Sequence, residues 1–190
     1  MLKLPKRLTN TKGISVVEIL IGAFIIAIVC AFALQAFVGQ KEASNMQAQV
    51  SDAQQAATFS LTELTVAIRN AGCGVPAGTP PYRKRIGTLG HDTLIIYYQN
   101  GASTDSTRYF LDHTTNPVHP KLIRQKNGGG LETFAENIED IDFIEVGPVG
   151  ALGAKSITVS ITARMESIDK HLNDYRRRTV SSNVYVLNAE

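Results

Sequence analysis

Apolar residues fill the first part of the chain and then give way to a helical pattern. From Ile14 to Val38 the chain reads ISVVEILIGAFIIAIVCAFALQAFV, 25 residues with a single charge. About 20 consecutive apolar residues are enough for a helix to cross a lipid bilayer. The run passes into a polar helical pattern without the small-residue cleavage site of a secretory signal peptide. We therefore expect this segment to remain in the protein as a membrane anchor.

Beyond the apolar run, apolar residues recur at steps of three and four along a second stretch. They are Met46, Val50, Ala53, Ala57, Leu61, Leu64 and Ile68. This spacing places them on one face of an amphipathic helix. Gly72 and Gly74 follow, as is typical of a helix C-terminus. The pattern predicts one continuous helix with a transmembrane half over residues 14–38 and an amphipathic half over residues 39–72.

Residues 73–190 contain short runs rich in Val, Ile, Thr, Tyr and Phe, which predict β-strands. The strand candidates are Thr93–Gln99, Thr107–Leu111, Lys121–Gln125, Leu131–Phe134, Ser156–Ala163 and Val180–Leu187. Asn100-Gly101 and Asn127–Gly130 separate consecutive candidates and are typical of hairpin turns. Because a lone amphipathic helix cannot bury its apolar stripe, we predict an α+β fold. In this fold the long helix packs against an antiparallel β-sheet head.

Charge divides the chain into a basic N-terminus and a slightly acidic remainder. Four of the 19 basic residues lie in residues 1–13, which contain no acid. The remaining 15 basic and 17 acidic residues give no bulk attraction for nucleic acid, so nucleic acid is not an expected partner. Basic residues before an apolar span favour a cytoplasmic N-terminus. Everything after Gln40 is then expected on the other side of the membrane.

Glu18 is the one charged residue in the apolar run, about one helical turn from its start. An ionisable group at the centre of a bilayer costs about 2.5–3.5 kcal/mol, and less near an end. A nearby positive charge would offset that cost. Alternatively, the side chain could reach the headgroup region of an ordinary single-pass protein.

The segment Lys12-Gly13-Ile14-Ser15-Val16-Val17-Glu18 resembles the processing signature of type IV prepilins. The resemblance implies that residues 1–13 are a leader, which a prepilin peptidase removes by cleavage between Gly13 and Ile14. It also implies N-methylation of Ile14 and pairing of the new amine with Glu18, the fifth mature residue, between neighbouring subunits. In two respects the chain departs from many major pilins: the first mature residue is not Phe, and the anchor contains no Pro.

Three later segments extend this resemblance, namely Arg69–Gly74, Phe134–Phe143 and Tyr175–Arg178. They resemble PilW-type minor pilins, which are similar to the J-type pseudopilin of type II secretion. The family has the pilin fold, and its subunits work at the filament tip or in the initiation complex. The residues also have a purely structural interpretation, in which Ile138, Ile141 and Phe143 are core and Asp140 and Asp142 form a solvated edge.

The resemblance also implies where the protein works and with what. The expected partners are the prepilin peptidase, other minor and major pilins, and an inner-membrane assembly platform. Before assembly the protein is expected in the inner membrane as a single-pass subunit with its head, residues 73–190, in the periplasm. After assembly it is expected in the pilus at the cell surface, where such filaments serve twitching motility and adhesion.

The other reactive groups show no catalytic or metal-binding pattern, so we expect neither enzyme activity nor a cofactor. The histidines, which lack metal-ligand spacing, are His91, His113, His119 and His171. Gly128–Gly130 lacks the following helix and lysine of a phosphate loop, and Asp112–Asn116 matches no calcium loop. Cys30 and Cys73 would lie about 60 Å apart along a helix, which excludes a disulfide within the chain.

Three functions fit these patterns. The first is a minor pilin in the assembly or initiation of a type IV pilus, and the second is a pseudopilin of a type II secretion system with the same anchor. The third is an anchored module that binds DNA or a surface, with an exposed basic–aromatic patch at Tyr82–Arg85 as its predicted site. Arg176–Arg178 could also contact phosphates or an acidic partner, although a basic run is more often a solvated strand edge.

Overall fold

A computed structural model describes residues 15–76, 78–86, 92–114, 117–146, 156–169 and 172–186. Within these ranges the chain forms one long helix followed by eight β-strands, which confirms the predicted α+β class. The helix α1 spans Val16–Arg69. The strands are β1 (Tyr82–Ile86), β2 (Asp92–Asn100), β3 (Ser103–Asp112), β4 (Lys121–Lys126), β5 (Leu131–Glu136), β6 (Ile138–Val146), β7 (Ser156–Arg164) and β8 (Arg177–Tyr185).

The chain divides into two compact units, residues 1–45 and residues 46–190. The described part of the first unit consists of Ser15 and the apolar part of α1. The second unit contains the rest of α1 and all eight strands. The long-range contacts that define a folded core are therefore found in the second unit.

The C-terminal end of α1 is a glycine turn that joins β2. Gly72 and Gly74 have φ angles of 77° and 70°, a left-handed conformation that glycine adopts without steric cost from a Cβ atom. The backbone N–H of Gly72 donates to the carbonyl of Tyr97 at 2.8 Å, and that of Gln99 donates to the carbonyl of Cys73 at 2.9 Å. The turn is thus bound to the strand by two backbone hydrogen bonds.

Strands β1 to β5 form an antiparallel sheet in sequence order. The predicted hairpin between β2 and β3 is confirmed, and Gly101 takes a φ of 65° at the first position of its two-residue turn. A positive φ at that position is what a type II′ turn requires. The predicted turn between β4 and β5 is also confirmed, with Asn127 and Gly128 at φ angles of 48° and 68°.

Strands β6 to β8 form a second antiparallel sheet rather than a continuation of the first. Asn137, with a φ of 58°, redirects the chain between β5 and β6. The N–H of Ile138 then donates to the carbonyl of Pro120 at 3.1 Å, and the carbonyl of Asn137 accepts from the N–H of Arg164 at 2.9 Å. The sequence predicted one sheet because nothing in its strand runs marks this break.

The core lies between the amphipathic part of α1 and the inner faces of the two sheets. The helix contributes five buried residues, namely Ala53, Ala57, Ser60, Leu64 and Ile68. The alternation predicted for β7 is confirmed, since Ile157, Val159, Ile161 and Ala163 are all fully buried. Ile138, Ile141 and Phe143 of β6 are fully buried too, which confirms their assignment to the core. Burying a side chain of this size contributes about 1.5–3 kcal/mol.

Candidate functional site

The N-terminus of α1 is closed by a capping box formed by Ser15 and Glu18. The hydroxyl oxygen of Ser15 accepts from the backbone N–H of Val17 at 3.3 Å. A carboxylate oxygen of Glu18 accepts from the backbone N–H of Ser15 at 3.1 Å. Such reciprocal bonds satisfy donors that have no partner within the helix. Gly13 and Ile14, which flank the predicted cleavage site, lie outside the described residues.

The helix that follows presents apolar side chains to its surroundings along the whole run to Val38. Phe24, Phe32 and Leu34, for example, are each about two-thirds exposed, with 67%, 69% and 66% of their surface accessible. Within the described residues, α1 is the one helix long and apolar enough to span a bilayer, and its most apolar window has a mean hydropathy of 2.8. This part of α1 is compatible with a single-pass membrane anchor.

Glu18 stands alone among charged residues in this apolar surface. In the described part of the chain its carboxylate meets the Ser15 amide and forms no ion pair. A carboxylate held at a helix N-terminus is stabilised by the helix dipole, by about 0.3–1 kcal/mol at an exposed site. That is less than the cost of placing the charge deep in a bilayer. Within the described residues, the charge of Glu18 is therefore compensated only by backbone N–H groups and the helix dipole.

The predicted exposed basic–aromatic patch at Tyr82–Arg85 is wrong for its aromatic residue, because β1 is a strand whose side chains alternate between two faces. Tyr82 points into the core and is 7% exposed. Lys84 lies on the same face of the strand, where its Nζ atom pairs with the Asp92 carboxylate at 2.7 Å. Arg83 and Arg85 point to the other face and are exposed. The sequence run therefore divides between two faces of the sheet.

Asp92 joins the two sheets through a buried carboxylate. One of its oxygens accepts from both Lys84 and the backbone N–H of Phe143, the latter at 2.9 Å. Lys84 also donates to the carbonyl of Phe143 at 2.5 Å. The Asp92 side chain is 7% exposed, whereas that of Lys84 is 30% exposed. This cluster links β1 and β2 of one sheet to β6 of the other, so its evident role is structural.

The basic run Arg176–Arg178 is mostly occupied by ion pairs of its own chain. The Nε atom of Arg176 lies 2.6 Å from the fully buried carboxylate of Asp169. Arg177 pairs with Glu139 at 2.5 Å and with Asp174 at 2.8 Å. Hydrogen bonds to Glu139 and then to Asp174 raise the pKa of Arg177, and the bond from Arg177 lowers the pKa of Asp174. Two of the three arginines are thus not available to a phosphate ligand.

Two shallow grooves lie along the amphipathic part of α1, and neither has the chemistry of a catalytic site. The larger, of about 560 Å³, is lined by Ser51, Gln54, Gln55, Thr58, Phe59 and Thr62. Its threonine hydroxyls donate to helix carbonyls at 2.8 and 2.9 Å, so neither is held by a base. The smaller, of about 220 Å³, contains Asp52, Glu136, Arg164 and Glu166 without a nucleophile beside them.

The remaining candidate side chains are the histidines, Asp112 and the two cysteines. Nδ1 of His119 lies 3.0 Å from the Asn137 side-chain oxygen. His113 is half-buried. The other two histidines, His91 and His171, lie outside the described residues. Asp112 binds the backbone N–H and the hydroxyl of Thr114 within its own loop. Among the described residues no group of three or more metal-ligating side chains comes together. Cys30 and Cys73 are free thiols, both exposed.

Comparison of the chain with protein-family models, with curated proteins and with solved structures finds no match. The functional interpretation therefore depends on the residues themselves. Ser15 was missed in the sequence, although Ser-x-x-Glu before an apolar run is a recognisable capping box. The signal was present in the same residues that carry the processing signature.

Proposed function

We propose that this protein is a type IV pilin-like minor subunit that takes part in the assembly or initiation of a pilus. Prepilin peptidase removes the leader after Gly13, and the mature chain joins a filament through its apolar helix. The observation that carries this proposal is Glu18, one carboxylate at the start of an otherwise apolar and exposed helical surface. The resemblance of residues 12–18 to the prepilin signature supplies the partner that this carboxylate lacks.

Cleavage after Gly13 would provide a positive charge close to the Glu18 carboxylate. It creates a positively charged amine on Ile14, which lies directly before the capping serine. A positive charge at a helix N-terminus opposes the helix dipole and is unfavourable by a fraction of a kcal/mol to about 1 kcal/mol. A carboxylate near that amine offsets this penalty, and the amine in turn offsets part of the cost of desolvating the carboxylate. Pairing between neighbouring subunits would give each helix a defined register against the next.

The exposed apolar surface of α1 supports lateral assembly. Leu, Ile, Val and Phe side chains surround this part of the helix on all sides and are not covered by other described residues. In a bilayer lipid covers them, and in a filament the helices of other pilins would take the place of lipid. The protein would thus lie in the inner membrane with a periplasmic head before assembly, and in the pilus afterwards. An assembly platform and a separate ATPase would move it from one to the other.

The processing step is tested by the mass of the mature N-terminus. In native material we expect a chain that begins at methylated Ile14. Gly13→Ala should abolish cleavage, so the full-length precursor should accumulate in the membrane. Normal maturation of Gly13→Ala, or wild-type filaments that retain residues 1–13, would refute the processing step.

The role of the Glu18 charge is separated from its capping role by Glu18→Gln. Glutamine can replace glutamate in a capping box, so this variant keeps the hydrogen bond to Ser15 and loses the charge. We expect normal cleavage and helix content but a large loss of incorporation into filaments, measured by immunoblotting of sheared filaments. Glu42→Gln is the control, since it neutralises a carboxylate of the same helix outside the apolar run. Equal incorporation of both variants would show that Glu18 serves only as a cap.

The deletion phenotype distinguishes a pilus from a secretion machine. Loss of surface pili and twitching motility would support the proposed minor pilin. Loss of protein secretion with intact pili would instead assign the chain to a type II secretion system as a pseudopilin. Both outcomes are compatible with the same anchor, so the deletion tests the assembly to which the subunit belongs.

A further inference from the structure

Three arginines converge on the outer face of the five-stranded sheet, the face opposite to α1. In the strand register Arg83 of β1 lies beside Ile95 of β2, which lies beside Arg108 of β3. Two strand spacings of about 4.8 Å place Arg83 and Arg108 about 10 Å apart, and Arg85 lies about 7 Å further along β1 from Arg83. We call Arg83, Arg85 and Arg108 the arginine triad. The sequence separates its members by up to 25 positions, so only strand pairing brings them together.

The members of the triad differ from the four arginines of the head that are bound within their own chain. Arg124, Arg164, Arg176 and Arg177 are bound to carboxylates or carbonyls of their own chain. Each member of the triad is exposed, and none forms an ion pair with a described residue. Three adjacent cations without counter-charges create a local positive field. They do so although the chain after the leader has a small excess of acids.

The surroundings of the triad leave this field uncompensated among the described residues. Glu132 aligns in register with Arg124 and Tyr109, on the inner face, and its carboxylate is bound to Arg124 at 2.9 Å. On the outer face the next carboxylate along β3 is Asp112, four residues or about 13 Å from Arg108. That carboxylate is bound to Thr114. Charge therefore favours an anionic partner on this face.

Arg108 is held in place by an aromatic ring. Its guanidinium carbon lies 4.4 Å from the centroid of the Phe110 ring, which is half-buried. A cation–π contact of this kind contributes about 0.5–1 kcal/mol at an exposed site and restricts the arginine to fewer conformations. A guanidinium lying on a ring also offers a flat surface on which a nucleic-acid base can stack. Sugars of an anionic polysaccharide have no such flat aromatic face.

We propose that the arginine triad, with Phe110, binds single-stranded DNA. Guanidinium groups match phosphate oxygens in geometry and can donate two parallel hydrogen bonds to them. Arg83, Arg85 and Arg108 contact successive phosphates, while a base stacks on the Arg108–Phe110 pair. Contacts to phosphates and to the face of a base do not read base edges, so binding is without sequence specificity. This inference does not depend on whether the subunit belongs to a pilus.

The test measures binding of a fluorescently labelled oligothymidine to the full chain in neutral detergent by fluorescence anisotropy. At about 50 mM salt we expect the triple variant R83Q/R85Q/R108Q to bind at least about tenfold more weakly than the wild type. Loss of three phosphate contacts should reduce the slope of log affinity against log salt by about 2 for a single strand. Arg178→Gln removes an exposed arginine of the other sheet and should change affinity by less than about twofold.

Two further measurements keep the proposal falsifiable. Arg108→Lys retains the charge without the planar guanidinium, and we expect it to weaken oligothymidine several-fold while binding of a sulfated polysaccharide stays unchanged. Circular dichroism of every variant confirms that the sheets are retained. Equal binding by wild type and triple variant, or no binding by the wild type, would overturn the proposal. So would a sulfated polysaccharide or an anionic detergent micelle that binds more tightly than DNA with the same arginine dependence.

Discussion

At the scale of single residues, Asp92 has the strongest structural role that the described contacts show. It is the one described carboxylate that accepts both from a lysine and from the backbone of the other sheet. A buried carboxylate needs hydrogen-bond partners, and one oxygen of Asp92 accepts from both the Lys84 ammonium and the Phe143 N–H. Removal of the side chain would leave the Phe143 N–H without an acceptor.

We therefore expect Asp92→Ala to destabilise the head by about 2 kcal/mol, because a buried donor loses its acceptor and a cation loses its partner. Asp92→Asn, which keeps an oxygen for the Phe143 N–H, should cost less. Glu132→Ala is the control, since it breaks an ion pair whose carboxylate is 58% exposed and should cost less than about 1 kcal/mol. Denaturation followed by circular dichroism measures all three. Equal losses for Asp92→Ala and Glu132→Ala would contradict the assigned role.

The buried phenol of Tyr109 makes the free energy of unfolding of the head depend on pH in the alkaline range. Burial raises the pKa of its phenol above the usual 10.0, and the charge of Arg124 opposes this effect without reversing it. A raised pKa in the folded state stabilises the protein below the ordinary tyrosine pKa, and this stability is lost as the pH rises through the raised value. In an absorbance titration of the folded protein, the phenol of Tyr109 should therefore ionise in a late step above pH 10. Tyr109→Phe should lack that step, and Tyr185→Phe, which removes an exposed phenol, should keep it.

At the scale of elements, the amphipathic part of α1 depends on a narrow stripe of side chains. Leu64 and Ile68 are fully buried, whereas Val66 between them is 48% exposed. The small residues Ala53, Ala57 and Ser60 extend the buried stripe toward the N-terminus. Because these residues are small, the helix backbone can approach the sheets closely there. The large buried side chains of the stripe, Leu64 and Ile68, are at its C-terminal end.

Leu64→Ala should destabilise the head by about 3 kcal/mol, because it removes buried apolar area and leaves a cavity. Val66→Ala changes a side chain two residues further along that is 48% exposed, and it should cost less than about 1 kcal/mol. Denaturant unfolding of the two variants compares them directly. If both substitutions cost the same, the helix face predicted from the 3–4 spacing would not be the packed face.

The sequence predicted elements well where side-chain alternation matches a single buried face. It did so for the helical stripe, for both hairpin turns and for β7. It missed β1 and β6 as strands, for different reasons. The run YRKRI of β1 has cations on both faces, so no apolar alternation is visible. In β6 a register shift between Ile138 and Asp140 places Ile138 and Ile141 on the same face, although three positions separate them.

The candidate sites also show that a linear sequence reveals neighbours along the chain but not neighbours across strands. Glu18 stands out in the sequence because its neighbours along the chain are apolar, and its role in assembly stays a prediction. Arg83 and Arg85 were noticed in the sequence but assigned the wrong companions, Tyr82 and Lys84, which point to the opposite face. Arg108 joins them only through the register of β1, β2 and β3. The sequence did not show β1 as a strand, so it could not supply the register that places Arg83 and Arg108 on either side of Ile95.

At the scale of the whole molecule, the division into two units separates the part that needs apolar surroundings from the part with a core. Residues 46–190 include the buried helix stripe and both sheets. A fragment that begins at Met46 should therefore fold in water without detergent, with the sheet signal of the full chain in circular dichroism. Gel filtration should show it as a monodisperse species. An aggregated or unfolded fragment would show that the first unit is needed for folding.

The positions of the two thiols give the molecule a pair of chemical labels. Cys73 lies exposed in the polar turn after α1, and Cys30 lies exposed within the apolar run. A water-soluble, membrane-impermeant maleimide should thus modify Cys73 in a bilayer, while a lipid-soluble reagent also reaches Cys30. Each thiol can then carry a dye or spin label without any engineered cysteine. In the native chain these labels can report whether the apolar part of α1 enters a bilayer and on which side of it Cys73 then lies.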